Sequence, residues 1–314
     1  MNGKIDKLIF MGTPNFAVPC LKALIDSRKN LAAAVCQPDR RQGRGRKLQA
    51  PPVKILASKY KIPVLQPTKI NTEEFLSTVR KISPDLIIVA AYGRILPPGL
   101  LAVPAWGVIN VHGSLLPKYR GAAPIQRAII NGEQETGITI MKMAEGIDTG
   151  DILLTSSLSV NKNDTSATLA ARMAEKGGDL LIQTLEGLRN NAITPIKQDE
   201  SQATMAPPLC KTEGRIDWKK SAFQISCLIR GLDPWPKAST TLENKSFRLF
   251  RPGVIDTEAV EDPGTVVEIN KEGILIATGS GYLLAREVQL EGGKRMPPRD
   301  FIQGNPLKIG TKLG

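Results

Sequence analysis

Residues 85–91 are Asp-Leu-Ile-Ile-Val-Ala-Ala, a nearly continuous apolar run. A run without polar alternation is typical of a strand that is covered on both faces of its sheet. A second run, Gly107-Val-Ile-Asn-Val-His112, is rich in β-branched residues and also predicts a strand. These two segments indicate a sheet that is packed between helices.

Strand-like and helix-like segments alternate outward from this pair. Further strand-like segments are 7–12, 31–36, 63–66 and 136–143. Helices are predicted to follow Asn15 and Thr72, each as an N-cap, and to span 123–131. This alternation predicts an α/β fold with a doubly wound, mainly parallel sheet, in which ligands lie outside the carboxyl ends of the strands.

The texture of the chain changes after Asp151. A long helix is predicted from Thr165 to Asn190, and residues 191–210 carry Pro and Gln in the manner of a linker. From residue 211 onward, short β-rich segments are separated by turns, which predicts a small barrel or sandwich. We therefore expect a first domain at 1–190, a linker at 191–210 and a C-terminal β-barrel (OB-like) domain at 211–314.

Composition excludes several classes of protein. At 314 residues and 41% hydrophobic content, two globular domains are expected. No apolar stretch is long enough for a membrane span, and the N-terminus lacks the features of a secretory signal. The four cysteines form no C-x-x-C pair, which argues for free thiols and against zinc. The first strand is followed by Gly12-Thr-Pro-Asn-Phe16, which is not a dinucleotide fingerprint.

The formal charge is +12, of which +9 falls in the first 206 residues. The segment 39–47 holds five cations, namely Arg40, Arg41, Arg44, Arg46 and Lys47. Its glycines favour a mobile loop over a helix. The loop could contact a phosphate backbone, or it could be an ordinary solvated turn. Aromatic residues make up only 4%, which disfavours stacking on unpaired bases as the main mode of binding.

His112 is the only histidine in the chain. Because strand side chains alternate, Asn110 and His112 share one face at the carboxyl end of their strand. Asp148 lies in a loop, 144–151, whose glycines let it fold closely against its neighbours. A carboxylate there could orient the imidazole for acid–base work. The alternatives are a core histidine paired with a backbone carbonyl, or a solvent-facing one, and a turn or capping aspartate.

These residues resemble a known family. The pattern Asn110-x-His112, then Ser114-Leu-Leu-Pro-x-Tyr-Arg-Gly121, then Ile147-Asp-Thr-Gly-Asp151, is similar to the active-site pattern of the folate-dependent formyltransferases. The resemblance extends over the chain, through residues 10–16, the basic segment 37–47, and Arg230-Gly-Leu-Asp-Pro-Trp-Pro236. It implies a Rossmann-like formyltransferase fold with a C-terminal barrel.

The resemblance also implies a reaction, which is transfer of a formyl group from 10-formyltetrahydrofolate to the α-amino group of methionine on initiator tRNA. Asn110, His112 and Asp148 would be the catalytic residues, and no metal is implied. The folate would lie along Val89, Ala90, Ala91, Tyr92, Gly93, Arg94, Ile95, Leu96 and Pro97, beside Ser114, Leu115, Leu116 and Pro117. The tRNA acceptor arm would meet the basic loop, and Lys211, Arg215, Lys294 and Arg295 would add phosphate contacts.

Other functions remain open at this point. A formyltransferase could act on a sugar nucleotide or a purine precursor. A formyltetrahydrofolate hydrolase would share the polar trio of Asn110, His112 and Asp148. A non-enzymatic RNA-binding protein would explain the charge but not the trio. We expect a cytoplasmic protein that is a monomer and does not contact membranes.

Overall fold

The computed structural model describes residues 5–42, 47–305 and 307–314. It divides into two compact units. The first comprises 1–124, 135–159 and 170–207, and the second comprises 125–134, 160–169 and 208–314. Among the residues that the structure describes, no helix is both long and apolar enough to cross a bilayer.

The first unit is built on a seven-stranded sheet. The strands of this unit, with those of a small hairpin, are β1 (Lys7–Gly12), β2 (Asn30–Val35), β3 (Arg40–Gln42), β4 (Lys47–Gln49), β5 (Val64–Leu65), β6 (Leu86–Ala90), β7 (Val108–His112), β8 (Glu135–Lys142) and β9 (Ile152–Ser159). The sheet order is β5-β2-β1-β6-β7-β8-β9. The first five strands are parallel, and β8 and β9 add an antiparallel edge. The predicted α/β fold with a mainly parallel sheet is confirmed.

Helices connect the strands. They are α1 (Val18–Asp26), α2 (Pro52–Lys59), α3 (Glu73–Ile82), α4 (Pro98–Leu101), α5 (Pro124–Ile130) and α6 (Ser166–Arg189). Thr72 caps α3 as predicted, since its hydroxyl accepts a hydrogen bond from Phe75 N at 3.4 Å. The cap predicted at Asn15 is wrong. Asn15 begins a short 3-10 turn instead, and α1 starts at Val18 with Pro19 in its first turn.

The apolar pattern of the central strands is explained by burial. All five residues of β6 are buried, and β1 is buried from Leu8 to Gly12. One hydrophobic cluster packs Ile9 and Met11 of β1, Ile87 and Val89 of β6, and Phe75 of α3 on one side of the sheet. This packing fixes the carboxyl ends of β1, β6 and β7 side by side, where the loops that follow these strands begin.

The second unit contains a five-stranded antiparallel sheet of order β10-β11-β14-β13-β12. Its elements are α7 (Ala222–Gly231), β10 (Ser239–Leu242), β11 (Lys245–Ile255), β12 (Val266–Ile269), β13 (Ile274–Ala277), β14 (Tyr282–Leu290) and α8 (Pro298–Phe301). The predicted C-terminal β domain is confirmed, as a half-barrel sheet. Its core includes Trp218, Phe247, Leu249 and Phe301.

The segment 196–206 belongs to the first unit and is ordered there. Ile196 exchanges two backbone hydrogen bonds with Ile152 of β9. Further along, Arg120 forms an isolated parallel bridge with Met205. This stretch, which composition suggested as part of a linker, therefore supplies structure beside the ends of the central strands.

Candidate active site

Asn110 and His112 lie on β7, between β6 and β8. The backbone of β7 pairs with both neighbours, so the two side chains are held at the carboxyl end of the sheet as predicted. Asn110 is partly exposed, whereas the imidazole of His112 is only 5% exposed. The site thus contains a partly exposed amide, that of Asn110, beside the buried imidazole of His112.

Asp148 joins these two side chains. One oxygen of its carboxylate lies 3.5 Å from Nδ2 of Asn110, and the other lies 3.5 Å from Nδ1 of His112. That second oxygen also accepts a hydrogen bond from the backbone N–H of Gly121 at 2.9 Å. Asp148 has a φ of +51°, in the left-handed region, so it also occupies a turn, as the alternative interpretation expected. The structure brings all three predicted catalytic side chains together.

The other edge of the imidazole is fixed by the main chain. Nε2 of His112 lies 3.0 Å from the carbonyl oxygen of Tyr119. A carbonyl can only accept, so Nε2 carries the hydrogen, and Nδ1 has the lone pair in the neutral ring. Pairing with a backbone carbonyl was the alternative interpretation of His112. The structure shows that this pairing coexists with an edge that faces Asp148, and it leaves Nδ1 as the nitrogen available for proton transfer.

A second layer of polar groups holds the Asp148 turn. Nε2 of Gln198 donates to the carbonyl oxygens of Asp148 and Gly150, at 2.8 and 2.7 Å. The Gln198 carbonyl accepts from Nε and one terminal nitrogen of Arg120, at 3.0 and 2.8 Å. Arg120 is buried and also makes a bidentate pair with Glu200, both contacts being 2.8 Å. Hydrogen bonding from Arg120 lowers the pKa of Glu200 below its usual value.

The loop 117–123 is tied to residues 204–206. The Thr204 hydroxyl accepts from Tyr119 N at 2.8 Å, and the Thr204 carbonyl accepts from Arg120 N at 2.8 Å. Ala206 N donates to the Arg120 carbonyl at 2.6 Å. Gly121 has a φ of +119°, and a Cβ there would lie 2.8 Å from the Ala206 carbonyl. No motif or local pattern in the sequence points to Gln198, Glu200 or Thr204 as neighbours of this site.

The predicted folate-binding residues fall into two loops and a strand end. Val89 and Ala90 end β6, residues 91–97 follow it, and Ser114 to Pro117 follow β7. The hydroxyl of Thr139 donates to the Ser114 carbonyl at 2.7 Å and accepts from Leu116 N at 3.1 Å, which anchors the second loop to β8.

The side chain of Tyr92 is buried, which does not fit a simple role in contacting a ligand. Burial raises the pKa of its hydroxyl, which has no hydrogen-bond partner among the residues that the structure describes. Its carbonyl accepts from Thr13 and Gln37, at 3.2 and 3.3 Å. The ring therefore packs in the core, and the backbone of Tyr92 braces the loop.

A cleft of about 590 Å³ opens beside the first loop. Its lining residues are Lys69, Ile70, Asn71, Arg94, Ile95, Leu96, Pro97, Pro98 and Glu145. Ile95 is 79% exposed and gives the cleft an apolar surface, while Lys69 and Arg94 supply positive charge. Glu145 belongs to the loop that carries Asp148, so the cleft adjoins the loops of the candidate site.

The two ends of the basic segment pair with each other as the strands of an antiparallel hairpin. Arg40 pairs with Gln49, and Arg41 pairs with Leu48. Arg41 and Lys47 are exposed, whereas Arg44 and Arg46, with the expected mobile tip, lie outside the described residues. The base of the hairpin is anchored at Asp39, whose pKa is lowered by hydrogen bonds from Lys54 (2.8 Å) and Gln66 (2.7 Å).

The four cations predicted in the second unit differ in their surroundings. Lys211, Arg215 and Lys294 are exposed. Arg295 is engaged: its guanidinium pairs with Asp233 at 3.0 Å and with Glu287, and it stacks 4.0 Å from the centre of the Phe250 ring. A phosphate would compete with two carboxylates for Arg295.

Cysteine and metal chemistry find little support among the described residues. Burial raises the pKa of the Cys20 thiol to about 12 and that of Cys36 to about 11, so neither is a nucleophile near neutral pH. All four cysteines are free. Within residues 5–42, 47–305 and 307–314, no group of three or more His, Cys, Asp or Glu side chains could hold a metal ion.

Two family models match the chain. The model described as "Formyl transferase" matches residues 6–185, and that described as "Formyl transferase, C-terminal domain" matches residues 208–306. A relative named methionyl-tRNA formyltransferase, from Desulfotalea psychrophila, is 50% identical over 306 residues. That alignment covers 98% of this chain and 94% of the relative.

Solved structures share the fold. The sugar 3N-formyl transferase WlaRD, determined with dTDP and 5-N-formyl-THF, has a TM-score of 0.69 at 18% identity, covering 93% of this chain and 100% of that one. HypX from Aquifex aeolicus, in complex with tetrahydrofolic acid, has a TM-score of 0.67 at 16% identity, covering 98% of this chain and 51% of that one. At these identities the likeness concerns the fold alone.

Proposed function

The chain belongs to the formyl transferase family, and we propose on that premise that it formylates methionyl-tRNA. It transfers the formyl group of a folate donor, 10-formyltetrahydrofolate, to the α-amino group of methionine on initiator tRNA. The observation that carries the proposal is the Asp148 carboxylate, which lies between the amide of Asn110 and the imidazole of His112. Near-complete alignment with a relative of that name supports the choice of acceptor.

Asn110 stabilises the negative charge that develops on the formyl oxygen. When the amine attacks, a carbon–nitrogen bond forms and the carbonyl oxygen becomes an oxyanion. The Nδ2 amide of Asn110 is partly exposed and is held by Asp148 only at 3.5 Å, so it is available to donate to that oxygen. A preorganised donor of this kind lowers the barrier because it need not reorient during the reaction.

His112 moves the proton. Its Nε2–H is held by Tyr119, so Nδ1 accepts the proton that the attacking amine loses. The charged ring then faces Asp148, which stabilises it until the proton passes to the departing folate nitrogen. The proton balance closes within the site, and the step requires no covalent enzyme intermediate.

The donor is placed along residues 89–97 and 114–117, with the cleft beside Arg94 to Pro98 receiving its distal part. Folates end in a glutamate, and the cleft offers Lys69 and Arg94 to its carboxylates. Exposed Ile95 offers apolar contact to the ring that precedes the glutamate. The arrangement of charge and apolar surface suits such a molecule.

Phosphate contacts to tRNA are assigned to the basic hairpin and to exposed cations of residues 211–314. Arg41 and Lys47 project into solvent from the hairpin, next to Arg44 and Arg46 in sequence. Lys211, Arg215 and Lys294 are the stronger candidates in the second unit, because Arg295 already has two carboxylate partners. We propose a cytoplasmic location, because aminoacylated tRNA is used in translation there, and a monomeric state.

The test is an in vitro transfer assay. The purified full chain is incubated with 10-formyltetrahydrofolate and initiator tRNA charged with methionine, and N-formylmethionine is measured after the ester is hydrolysed. We expect formylation of the initiator tRNA, and little with uncharged tRNA or with free methionine. An Asn110→Ala variant serves as the matched inactive control.

The same assay separates the alternatives. Release of formate without any acceptor would identify a hydrolase. Formylation of an amino-sugar nucleotide or a purine precursor in preference to methionyl-tRNA would identify a small-molecule formyltransferase. Salt-dependent RNA binding without either reaction would leave a non-catalytic RNA-binding protein. Each of these results contradicts the proposal.

A further inference from the structure

Asp148 is held through both its side chain and its backbone. Its carboxylate accepts from Gly121 N at 2.9 Å, and its backbone carbonyl accepts from Gln198 Nε2 at 2.8 Å. Gln198 is itself held by Arg120, the residue next to Gly121. Asp148, Gly121, Arg120 and Gln198 therefore form a closed ring of covalent and hydrogen bonds.

We propose that Gln198 is a positioning residue for Asp148, and that it sets the distance between the carboxylate and Nδ1 of His112. This inference deepens the proposed function and rests on it. Gln198 contributes from a stretch far along the chain, 50 residues from Asp148 and 78 from Arg120. Its hydrogen bonds are made to the backbone of the Asp148 turn and to the guanidinium of Arg120.

The amide group is needed for this role. Its nitrogen donates to two carbonyls, those of Asp148 and Gly150, while its oxygen accepts twice from Arg120. Only a side chain with both a donor and an acceptor satisfies the two sides at once. Asp148 adopts a left-handed backbone, at φ +51°, which costs a non-glycine residue free energy that surrounding contacts offset. The Gln198 bonds are part of that restraint.

Two residues near Gln198, namely Glu200 and Gln202, differ from it in their contacts. Glu200 pairs with Arg120 from an exposed position, its side chain being 70% accessible. Gln202 follows in the same short 3-10 turn, and its side chain is exposed. Gln202 is thus a matched control for substitutions at Gln198.

The informative variant is Gln198→Glu. A carboxylate has the same shape and keeps an oxygen for Arg120, but it cannot donate to the carbonyls of Asp148 and Gly150. The overall packing should survive while the restraint on Asp148 is lost. We expect kcat for methionyl-tRNA formylation to fall about tenfold or more, with KM for the folate changed less than about threefold. Gln202→Ala should match the wild type.

A double-mutant cycle then distinguishes positioning from general support. If Gln198 acts through Asp148, adding Gln198→Glu to Asp148→Asn should lower kcat by less than about twofold beyond Asp148→Asn alone. A full multiplicative loss in the double mutant would overturn the inference. So would a Gln198→Glu enzyme that keeps its kcat while Asp148→Asn loses it.

A measurement that does not depend on turnover completes the test. Amide hydrogen exchange of residues 144–151 should be faster in Gln198→Glu than in the wild type or in Gln202→Ala, because the turn loses two restraints. Unchanged exchange in that segment would contradict the positioning role. An inactive wild type would instead refute the proposed function, and the exchange comparison would still decide whether Gln198 restrains the turn.

Discussion

The carboxylate of Asp148 faces Nδ1 of His112 at 3.5 Å, across the ring from the nitrogen that Tyr119 holds. This separation is slightly longer than a hydrogen bond, so the pair can tighten when the ring gains a proton. The two nitrogens of the imidazole thus have different surroundings. Nε2 is fixed by the backbone, and Nδ1 is the nitrogen that we propose to accept the proton.

Asp148→Asn should lower kcat about a hundredfold or more, because the amide cannot stabilise the protonated ring. KM for the folate should change little, since the shape of the side chain is kept. Steady-state kinetics check both. Asp151→Asn, which removes the same charge from the same loop, is the control; equal losses in the two variants would point to the loop charge in general.

His112→Gln should also lower kcat at least about a hundredfold while keeping the fold. Glutamine can still donate to the Tyr119 carbonyl, but it cannot take up a proton. Glutamine is preferred to alanine because the ring is 5% exposed and its complete removal would leave a cavity. Near-normal turnover would exclude the proton-transfer role.

Asn110→Ala should raise the activation barrier by about 2.7–4 kcal/mol, the scale of a lost oxyanion donor. Folate binding, measured by tryptophan fluorescence or calorimetry, should stay within a few-fold of the wild type. If the loss appeared only in folate affinity, Asn110 would anchor the donor instead of the transition state.

Neutralising Arg44 and Lys47 together should weaken tRNA binding and flatten the log–log salt slope by up to about 2, close to one per phosphate contact. Binding of the folate donor, measured by calorimetry, should be largely spared, because neither residue belongs to the predicted folate site. The control is Lys81→Ala with Lys176→Ala, two exposed lysines whose removal lowers the net charge equally. An unchanged slope would mean that the basic segment is an ordinary solvated turn. The phosphate contacts would then be expected at Lys211, Arg215 and Lys294.

Glu213 predicts a pH dependence of stability. A hydrogen bond from Arg127 lowers its pKa from 4.5 to about 2. A lowered folded-state pKa stabilises the protein above the unfolded value and loses that contribution as the pH falls. The wild type should therefore be more stable than Glu213→Gln by about 1–2 kcal/mol at neutral pH, allowing for partial exposure, and the difference should vanish between about pH 4.5 and 2. Urea unfolding of the full chain checks this, with exposed Glu258→Gln as control.

Local patterns in the sequence predicted the sheet and also the three polar side chains that the structure brings together, those of Asn110, His112 and Asp148. The strand ending at His112 and the glycines around Asp148 are visible within a few residues, and so is the Thr72 cap. The cap at Asn15 failed because Pro19, a strong first-turn residue, sets the start of the helix three residues later. Helix α7 was missed although Ser221 and Gln224 form a capping box, a signal that the sequence contains.

The supporting contacts could not be read from the sequence. Gln198 and Thr204 meet the site through partners 50 to 85 residues away, and no local periodicity encodes such pairings. The composition of that stretch pointed to a linker because proline and polar residues are common in linkers. Here the polar side chains of Gln198 and Thr204 instead form hydrogen bonds with distant parts of the chain. Likewise, the carbonyl of Tyr119 is a main-chain group, and side-chain chemistry says nothing about where it points.

The pairing of residues 204–206 with the loop at 119–121 bears on how this gene could be recombined. A chimera joined at residue 190 would take residues 196–206 from one parent, and the loops that they contact, at 119–121 and around Asp148, from the other. Crossovers placed after Pro207 would instead keep both parts from one ancestor. Exchange of C-terminal domains between relatives should therefore succeed at that junction far more often than at the end of the long helix.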